Sequence, residues 1–229
     1  MPKVKLFAAI PRKKDISAQE FHDHWRHPHG TLARRISTIR RYAQSHHIPC
    51  DELESGPPRF EGVAEVWMDN VEDALALASE PVYVADIAPD EPLFIDLPNL
   101  KFLITEEDVV FSGPDRRQTE HPVGDAHWYD DDRAVNIKVL QLIEARDRTS
   151  WVSDTDRELG IAIGALRHVR CYPSSAVYAQ DEPAFFGVRE LWWPTITAFS
   201  RGVESNREAW NKLLGTHPLT ILSHSERFK

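Results

Sequence analysis

The sequence predicts an α+β protein made of two units, each of the order β-α-β-β-α-β, that pack sheet against sheet. Stretches with strand and helix patterns follow one another in this order in the first half of the chain and again in the second. In addition, the stretch 60–67 matches 185–192 at five of eight positions, at an offset of 125 residues. A match of this kind indicates an internal duplication.

The first unit begins with the apolar run Val4–Ile10, which is typical of a buried strand. Ser17 and Glu20 form a capping-box pattern, so a helix should follow, and Pro28 and Gly30 should bend or break it. Strands are then expected over 38–48 and 60–68, a helix over 71–79, an irregular stretch over 81–96 and a strand over 100–105.

The second unit repeats the order, with strands over 135–143, 166–172, 185–192 and 219–225 and helices over 150–165 and 195–214. Between the units, residues 112–134 are polar and without periodicity, which is typical of a linker. The predicted domains are therefore 1–111, the linker 112–134, and 135–229.

The order of elements is that of the ferredoxin-like fold, and two such units can pack their sheets together. Strand 60–68 should then use both of its faces. One face, with Val63, Glu65 and Trp67, is expected to point to the interior between the sheets. The other face, with Ala64, Val66 and Met68, is expected to point to the helices.

Composition narrows the choice of partners and compartment. The 229 residues are 41% hydrophobic and 28% charged, which is ordinary for a globular chain. A net charge of −9 argues against nucleic acid or an anionic membrane as the main partner. No apolar run approaches the ~20 residues that cross a bilayer. Cys50 and Cys171 form no disulfide framework, and the basic start lacks a signal-peptide pattern, so a cytoplasmic setting is expected.

Several motifs of the first half are similar to those of the EthD family, within the dimeric α/β-barrel superfamily. They are the strand Lys5–Ile10, the helix signature His24-Trp-Arg-x-x-His-Gly-x-Leu-Ala33, the stretches Arg41–His46 and Phe60–Trp67, and the tail stretches 94–96 and 105–109. The resemblance covers residues 3–111. The second half resembles a diverged copy whose helical stretch 150–159 lacks the Trp-Arg-x-x-His-Gly signature.

The resemblance implies a barrel made from two units, which relatives form by dimerising and which one chain could form here. Such a chain would be a monomer with pseudo-twofold symmetry or a homodimer. The resemblance also implies a cavity for a small hydrophobic molecule between the sheet and the helices of each unit. It implies no single reaction, because the superfamily contains isomerases, decarboxylases, cyclases, monooxygenases, haem-degrading enzymes and proteins without known activity.

His29 is the first candidate for a catalytic residue. Its spacing from Trp25 and Leu32 places it on the apolar stripe of the helix, and a neutral imidazole there can transfer protons near pH 7. The structural alternative, which the residues alone favour, is that His29 caps the broken helix or satisfies a buried carbonyl; the family match brings the two interpretations nearer to equal weight. His24, beside the same face, could assist, and Tyr42 could donate to a substrate carbonyl or an enolate oxygen, although it could equally be an ordinary strand aromatic.

Five further residues are candidates for substrate binding: Trp25, Arg26, Glu65, Trp67 and Tyr83. The aromatic ones could line a pocket or simply form core, and Arg26 could attract a carboxylate or face solvent. A dry Glu65 would have a raised pKa suited to proton transfer. Glu190, however, occupies the matching position of the second half, which favours a structural role for both glutamates, paired with an arginine such as Arg41 or Arg189.

A metal site is a weaker alternative. His24 and His27 lie one helical turn apart, and His46 and His47 could add ligands. However, Pro28 breaks the geometry and no cysteine or carboxylate completes a known ligand spacing, so no metal is expected.

The sequence also lacks a phosphate-binding glycine loop, a nucleophile motif and a dinucleotide fingerprint. We therefore expect a lyase or isomerase without a cofactor. It would decarboxylate, dehydrate or isomerise a small hydrophobic, aromatic or polyketide-like compound. The alternatives are a non-catalytic protein that binds a small molecule and a monooxygenase.

Overall fold

The computed structural model describes residues 4–50, 53, 57–113, 135–215 and 219–229. Within these ranges, eight antiparallel strands close into one barrel in the order β1-β3-β2-β8-β5-β7-β6-β4. The strands are β1 Val4–Ile10, β2 Arg41–His47, β3 Gly62–Met68, β4 Lys101–Ser112, β5 Val135–Ile143, β6 Arg167–Pro173, β7 Gly187–Trp193 and β8 Thr220–Arg227.

The α-helices are α1 Ala18–His24, α2 Thr31–Ala33, α3 Val71–Ala76, α4 Asp156–Ala162, α5 Ile196–Ser205 and α6 Arg207–Leu214. A π-helical turn over Trp25–Gly30 joins α1 to α2. A second π-helical turn covers Tyr83–Ile87, and 3₁₀ turns cover Leu77–Ser79, Glu91–Leu93, Leu97–Asn99 and Ala145–Asp147. None of the described helices is both long and apolar enough to cross a bilayer.

The barrel consists of two ferredoxin-like halves of the same topology. The first half has the strand order β4-β1-β3-β2 and the second the equivalent order β8-β5-β7-β6. Two seams join the halves, β2 with β8 and β4 with β6. The predicted fold class is thus confirmed, and both seams lie within one chain. The predicted linker falls almost wholly outside the described residues, since Ser112 still belongs to β4.

The two faces of β3 point as predicted. Val63 belongs to an apolar cluster inside the barrel, together with residues of both halves. Ala64, Val66 and Met68 instead belong to the cluster beneath the helices of the first half. Since a strand turns alternate side chains to opposite faces, the barrel needs apolar residues on both.

The repeated motif includes a glycine because a tryptophan ring lies against that position in each half. Trp25 packs against Gly62, and Trp151 packs against Gly187 in the equivalent place. Trp25 is fully buried and Trp151 nearly so. The second half therefore keeps the tryptophan, although its sequence showed no helix signature.

Replacing Gly62 with alanine is expected to lower the free energy of unfolding by ~1–3 kcal/mol, because the added methyl group would overlap the buried Trp25 ring. Denaturant unfolding of the variant measures the loss. Combining Gly62→Ala with Trp25→Leu provides the control, because a smaller ring-free side chain makes room for the methyl group. If the double variant loses as much as the two single losses added together, the proposed contact is wrong.

Three predicted elements differ from the structure. The helix predicted over 150–165 is only α4, because residues 150–155 form turns that carry Trp151 to Gly187. The helix predicted over 195–214 is split at Asn206, whose side chain accepts from the backbone N–H of Ala209 and starts α6. Strand β4 is longer than predicted because its second part pairs with β6 of the other half.

Candidate functional site

A cavity of about 310 Å³ lies between the sheet of the first half and its helices. Its wall is mostly apolar and comes from β1, β3, the start of β4, α3 and the turns that follow α3. Val177 and Tyr178 of the second half close one side. A concave, largely apolar space with few polar groups is the usual form of a small-molecule site.

His29 lines this cavity and is held by a carboxylate. Its Nδ1 lies 2.9 Å from Oδ2 of Asp90, and the other oxygen of Asp90 lies 2.8 Å from Nε2 of His24. Burial alone would raise the pKa of Asp90, but its hydrogen bonds to His29 and His24 outweigh this and lower the pKa. An ionised Asp90 accepts a proton-bearing Nδ1, so Nε2 is the nitrogen of His29 that is left for chemistry.

The local chain explains how His29 reaches the cavity. His27 has an extended backbone, the bond from His27 to Pro28 is cis, and the chain then returns to helical geometry. Gly30 follows because a Cβ atom at this position would overlap Gln44 and Phe228. The sequence correctly predicted the break, which falls at His27, where the backbone leaves helical geometry.

A tyrosine and a glutamate form a hydrogen-bonded pair at the same cavity. The hydroxyl of Tyr83 donates to Oε1 of Glu91 at 2.7 Å, and both residues line the wall. Burial raises the pKa of Glu91, although the hydrogen bond from Tyr83 opposes the shift. Burial likewise raises the pKa of Tyr83. The cavity thus holds one carboxyl group with a lowered pKa beside its wall, Asp90, and one with a raised pKa in its wall, Glu91.

Tyr42 is a further polar residue of the wall. Its hydroxyl oxygen accepts from Nε2 of Gln44 at 2.8 Å. Burial raises the pKa of Tyr42 well above its usual range, while the bond from Gln44 works in the other direction. Tyr42 therefore stays protonated at neutral pH and can serve as a hydrogen-bond donor.

Of the predicted site residues, the structure brings His29, Tyr42 and Tyr83 together at the cavity. His24 reaches it only through Asp90. The other four do not line it, contrary to the prediction of a shared binding role: they are Trp25, Arg26, Glu65 and Trp67. Trp25 packs against Gly62, and Arg26 forms an ion pair with Glu226 of β8 at 2.8 Å. For Glu65 and Trp67, the physical reason is that β3 turns its odd-numbered side chains away from the helices.

Glu65 belongs instead to a cluster of four charges inside the barrel. Glu65 lies 2.8 Å from Lys5 and 2.6 Å from Lys138, and Glu190 lies 2.7 Å from Lys5 and 3.3 Å from Lys138. Trp67 covers Lys5, whose ammonium nitrogen is 4.1 Å from the ring centroid. The expected structural role of both glutamates fits this geometry, but their partners are lysines rather than Arg41 or Arg189.

The histidines that could have formed a metal site have other partners. His27 bonds to Thr31, and His46 bonds to His22 and Gln44. The side chain of His22 is only 14% exposed. In the part of the chain that the structure describes, one group of three possible ligands is found elsewhere: Glu107, Cys171 and Glu190. Lys5 lies within 3.5 Å of both of these carboxylates and so already provides them with a cationic partner.

The equivalent space in the second half is filled by aromatic rings. Thr195 and Asn70 cap equivalent helices at the offset of 125, so Phe199 takes the place of Ala74 in the cavity wall. Trp193 likewise takes the place of Met68. The rings of Trp193, Phe199 and Trp210 pack with centroids 5.1 and 5.5 Å apart, and all three residues are buried.

Three residues of the site were missed from the sequence: Asp90, Glu91 and Tyr178. Asp90 and Glu91 lie in the stretch expected to be irregular, where a pair of acids between prolines is ordinarily a solvated turn. What marks these two acids as site residues is their position beside an apolar wall. That position depends on tertiary structure, so the sequence does not reveal it. Tyr178 comes from the other half, and its hydroxyl accepts from the backbone N–H of Ile104 at 3.1 Å.

Comparisons with known proteins agree with this architecture. Residues 13–98 match the family model of the EthD domain. No curated protein matches the sequence. An anthrone oxidase-like protein of known structure is 8% identical over 99% of this chain and 92% of its own, with a TM-score of 0.57.

Two further structures are similar. A candidate monooxygenase from Fusobacterium nucleatum is 6% identical over 100% of this chain and 93% of its own, with a TM-score of 0.51. An EthD family protein from Bacillus halodurans is 23% identical over 45% of this chain and 97% of its own, with a TM-score of 0.38. At these identities, the likenesses of the first two full-length structures show a shared barrel fold.

Proposed function

Because the first half of this chain carries an EthD domain, we propose that its cavity is the active site of a lyase or isomerase that works by side-chain acid–base chemistry. The substrate would be a small hydrophobic ketone or keto acid, aromatic or polyketide-like. One observation carries the proposal. His29 lies in an apolar cavity, is oriented by Asp90, and shares the wall with the buried hydroxyl of Tyr42.

The proposed reaction begins with a carbonyl oxygen placed at Tyr42. Nε2 of His29 removes the proton from the carbon next to the carbonyl, and the electron pair of the C–H bond moves to form the enolate. Tyr42 stabilises the developing negative charge by donating its O–H group. Asp90 stabilises the imidazolium through Nδ1–H, as a buried carboxylate does in other histidine-based sites.

The enolate then has two outcomes that need no further group. His29 can return the proton to a different carbon, which gives isomerisation. If the substrate carries a hydroxyl group one carbon further on, that group can leave with a proton, which gives dehydration. A keto acid reaches the same enolate by losing carbon dioxide, and Tyr42 would stabilise it in the same way.

The test is a panel of aromatic ketones, 1,3-diketones and aromatic β-keto acids incubated with the protein in D₂O. We expect deuterium at the carbon next to the carbonyl, or loss of carbon dioxide, at a rate well above that of heat-denatured protein. Mass spectrometry measures both outcomes. Members of the panel that raise the melting temperature but remain unconverted would instead support the alternative of a non-catalytic binding protein.

A monooxygenase is the second alternative, because an enolate formed at His29 could react with oxygen. The resemblance of the barrel to an anthrone oxidase-like protein makes this test worthwhile. Oxygen consumption is followed with an electrode during the same incubations. Uptake of oxygen in step with substrate loss would replace the lyase or isomerase proposal with oxygenation.

Replacing Asp90 with asparagine is expected to lower the rate of deuterium incorporation by ~10–100-fold, the scale known for carboxylates that orient metal-bound histidines. The amide can offer its N–H group to Nδ1 and so favour the wrong tautomer of His29. Asp86→Asn is the matched control, because Asp86 pairs with Arg35 at the surface, at 2.7 Å. Equal rates in the two variants would contradict the role of Asp90.

A further inference from the structure

We infer that a one-way hydrogen-bond chain runs from His22, whose other ring nitrogen faces Glu61, through His46 and Gln44 to Tyr42, and presets the cavity to bind a ligand oxygen that accepts a hydrogen bond. Gln44 and His46 are then positioning residues, since neither lines the cavity. The inference deepens the proposed function and rests on its premise that the cavity binds a carbonyl or enolate compound. It does not require turnover.

The direction of the chain is fixed at Gln44. One end of its side-chain amide lies 2.7 Å from the backbone carbonyl oxygen of Trp25, which can only accept. The NH₂ group must therefore be at this end, and the oxygen at the other. This end also lies 2.8 Å from the hydroxyl of Tyr42. The two amide hydrogens thus go to Trp25 and Tyr42.

The orientation of Gln44 determines the tautomer of His46. Oε1 of Gln44 lies 3.0 Å from Nε2 of His46, so this nitrogen must carry the hydrogen. Burial, together with the nearby Arg26 and His22, lowers the pKa of His46 to about 2. A neutral ring with hydrogen on Nε2 has a free lone pair on Nδ1. That lone pair lies 2.9 Å from Nδ1 of His22, which must therefore donate.

The outer end of the chain favours the same direction. Nε2 of His22 faces the carboxylate of Glu61 at 3.5 Å. Burial alone would raise the pKa of Glu61, but hydrogen bonds from His22, His47 and Arg12 outweigh this and lower it well below its usual range. A charged carboxylate attracts a proton on His22. The imidazole can then donate at Nδ1 while its other nitrogen faces Glu61.

The inner end of the chain is the hydroxyl of Tyr42. Because its oxygen accepts from Gln44, its own hydrogen has to point elsewhere. The side chain is buried and Tyr42 lines the cavity, so the chain directs this hydrogen towards a ligand bound there. Gly30 leaves room for the amide of Gln44 beside Phe228, so the amide is closely enclosed. Tyr42 is thus held as a donor into the cavity before any ligand binds.

The experiment uses 1-tetralone as a carbonyl probe and infrared spectroscopy of its C=O stretch when bound. A hydrogen bond to the carbonyl moves this band to lower wavenumber. We expect the shift with the wild-type protein and its loss with Tyr42→Phe. We also expect the shift to be lost with Gln44→Glu. A carboxyl group has at most one hydrogen in place of the two of the amide, so its oxygen accepts the hydrogen of Tyr42 and turns it away from the cavity.

The Kd of 1-tetralone gives the size of the effect, and a variant at another buried glutamine is the control. Loss of one hydrogen bond should raise the Kd of 1-tetralone roughly 2- to 12-fold in both variants. Gln141→Glu is the matched control, since Gln141 is equally buried and its Nε2 likewise donates to a backbone carbonyl, that of Leu214 at 2.9 Å. This variant should keep the wild-type band. An unchanged band in Gln44→Glu would overturn the inference.

A second measurement needs no ligand. The ¹⁵N chemical shifts of His46 are measured in the wild-type protein between about pH 6 and 8. They should show a hydrogen on Nε2 and none on Nδ1. The opposite tautomer would overturn the chain, and this result decides the question if 1-tetralone does not bind. If deuterium incorporation is absent while the band and the tautomer follow the expected pattern, the proposed reaction fails and the chain stands.

Discussion

Replacing His29 with alanine is expected to lower the rate of deuterium incorporation, or of carbon dioxide release, by at least ~100-fold, the usual scale for losing a general acid–base. The reason is that His29 alone in the cavity wall combines an imidazole with an orienting carboxylate. Tyr42 would still polarise the carbonyl, so binding of 1-tetralone should be retained. The rate is measured by mass spectrometry on the substrate that the panel identifies.

The matched control is His27→Ala, two residues earlier. His27 is exposed and bonds only to the side chain of Thr31 among its described hydrogen bonds. Its loss should leave the rate within about twofold, as expected for a surface residue away from the reacting groups. Melting temperatures of both variants show whether the fold is kept. A His29 variant that folds, binds the probe and turns over at the wild-type rate would exclude His29 as the base.

Replacing Glu65 with glutamine is expected to lower the free energy of unfolding by about 3–5 kcal/mol, the usual cost of removing one partner from a buried ion pair. Glu65, Lys5, Lys138 and Glu190 together are neutral, and all four are buried. Without Glu65, two ammonium groups face a single carboxylate in the barrel interior. Denaturant unfolding at pH 7 measures the loss.

Two controls separate the buried charge from a general effect of substitution. Glu208→Gln removes one partner of an exposed pair with Lys212, at 2.6 Å, and should leave the free energy of unfolding nearly unchanged, because water screens an exposed pair. Combining Lys138→Met with Glu65→Gln restores neutrality in the barrel. The double variant should therefore lose less than the two single losses added together; strict additivity would show that the charges do not interact.

The pH dependence of this loss follows from the carboxyl group. Burial alone would raise the pKa of Glu65, but Lys138 and Lys5 outweigh it and hold the pKa well below the ordinary value of 4.5. A lowered pKa in the folded state means that the stabilisation is fully present above pH 4.5 and is lost as the pH falls below it. The stability difference between the wild-type protein and Glu65→Gln should shrink accordingly in acid.

The sequence predicted the fold well because the signals are local and repeated. The alternation in β3 correctly separated Glu65, which faces the barrel interior, from Val66, which faces the helices. The duplicated motif correctly indicated two equivalent halves. The prediction of a helix over 150–165 was wrong in its first part. There, Trp151 packs against Gly187, which lies further along the chain in the same half, and no local pattern encodes that contact.

The candidate site was predictable only in part. His29 and Tyr42 could be proposed from helical spacing, a family resemblance and strand position. Asp90 could not, because sixty-one residues separate it from His29 and its segment has the composition of a solvated turn. The partners of Glu65 were equally hidden, since Lys5 and Lys138 are contributed by different halves of the barrel.

By itself, then, the sequence determined the two ferredoxin-like units, the faces of their strands and the break in the helix at Pro28, since these follow from periodicity and backbone chemistry. Tertiary structure decided which polar groups are buried in contact with one another. Barrel closure made four distant charges into one neutral cluster. Ala74 lines the cavity of the first half, whereas the second half has the ring of Phe199 at the equivalent position. Burial and charge pairing depend on all the surrounding chain, which is why no local pattern reveals them.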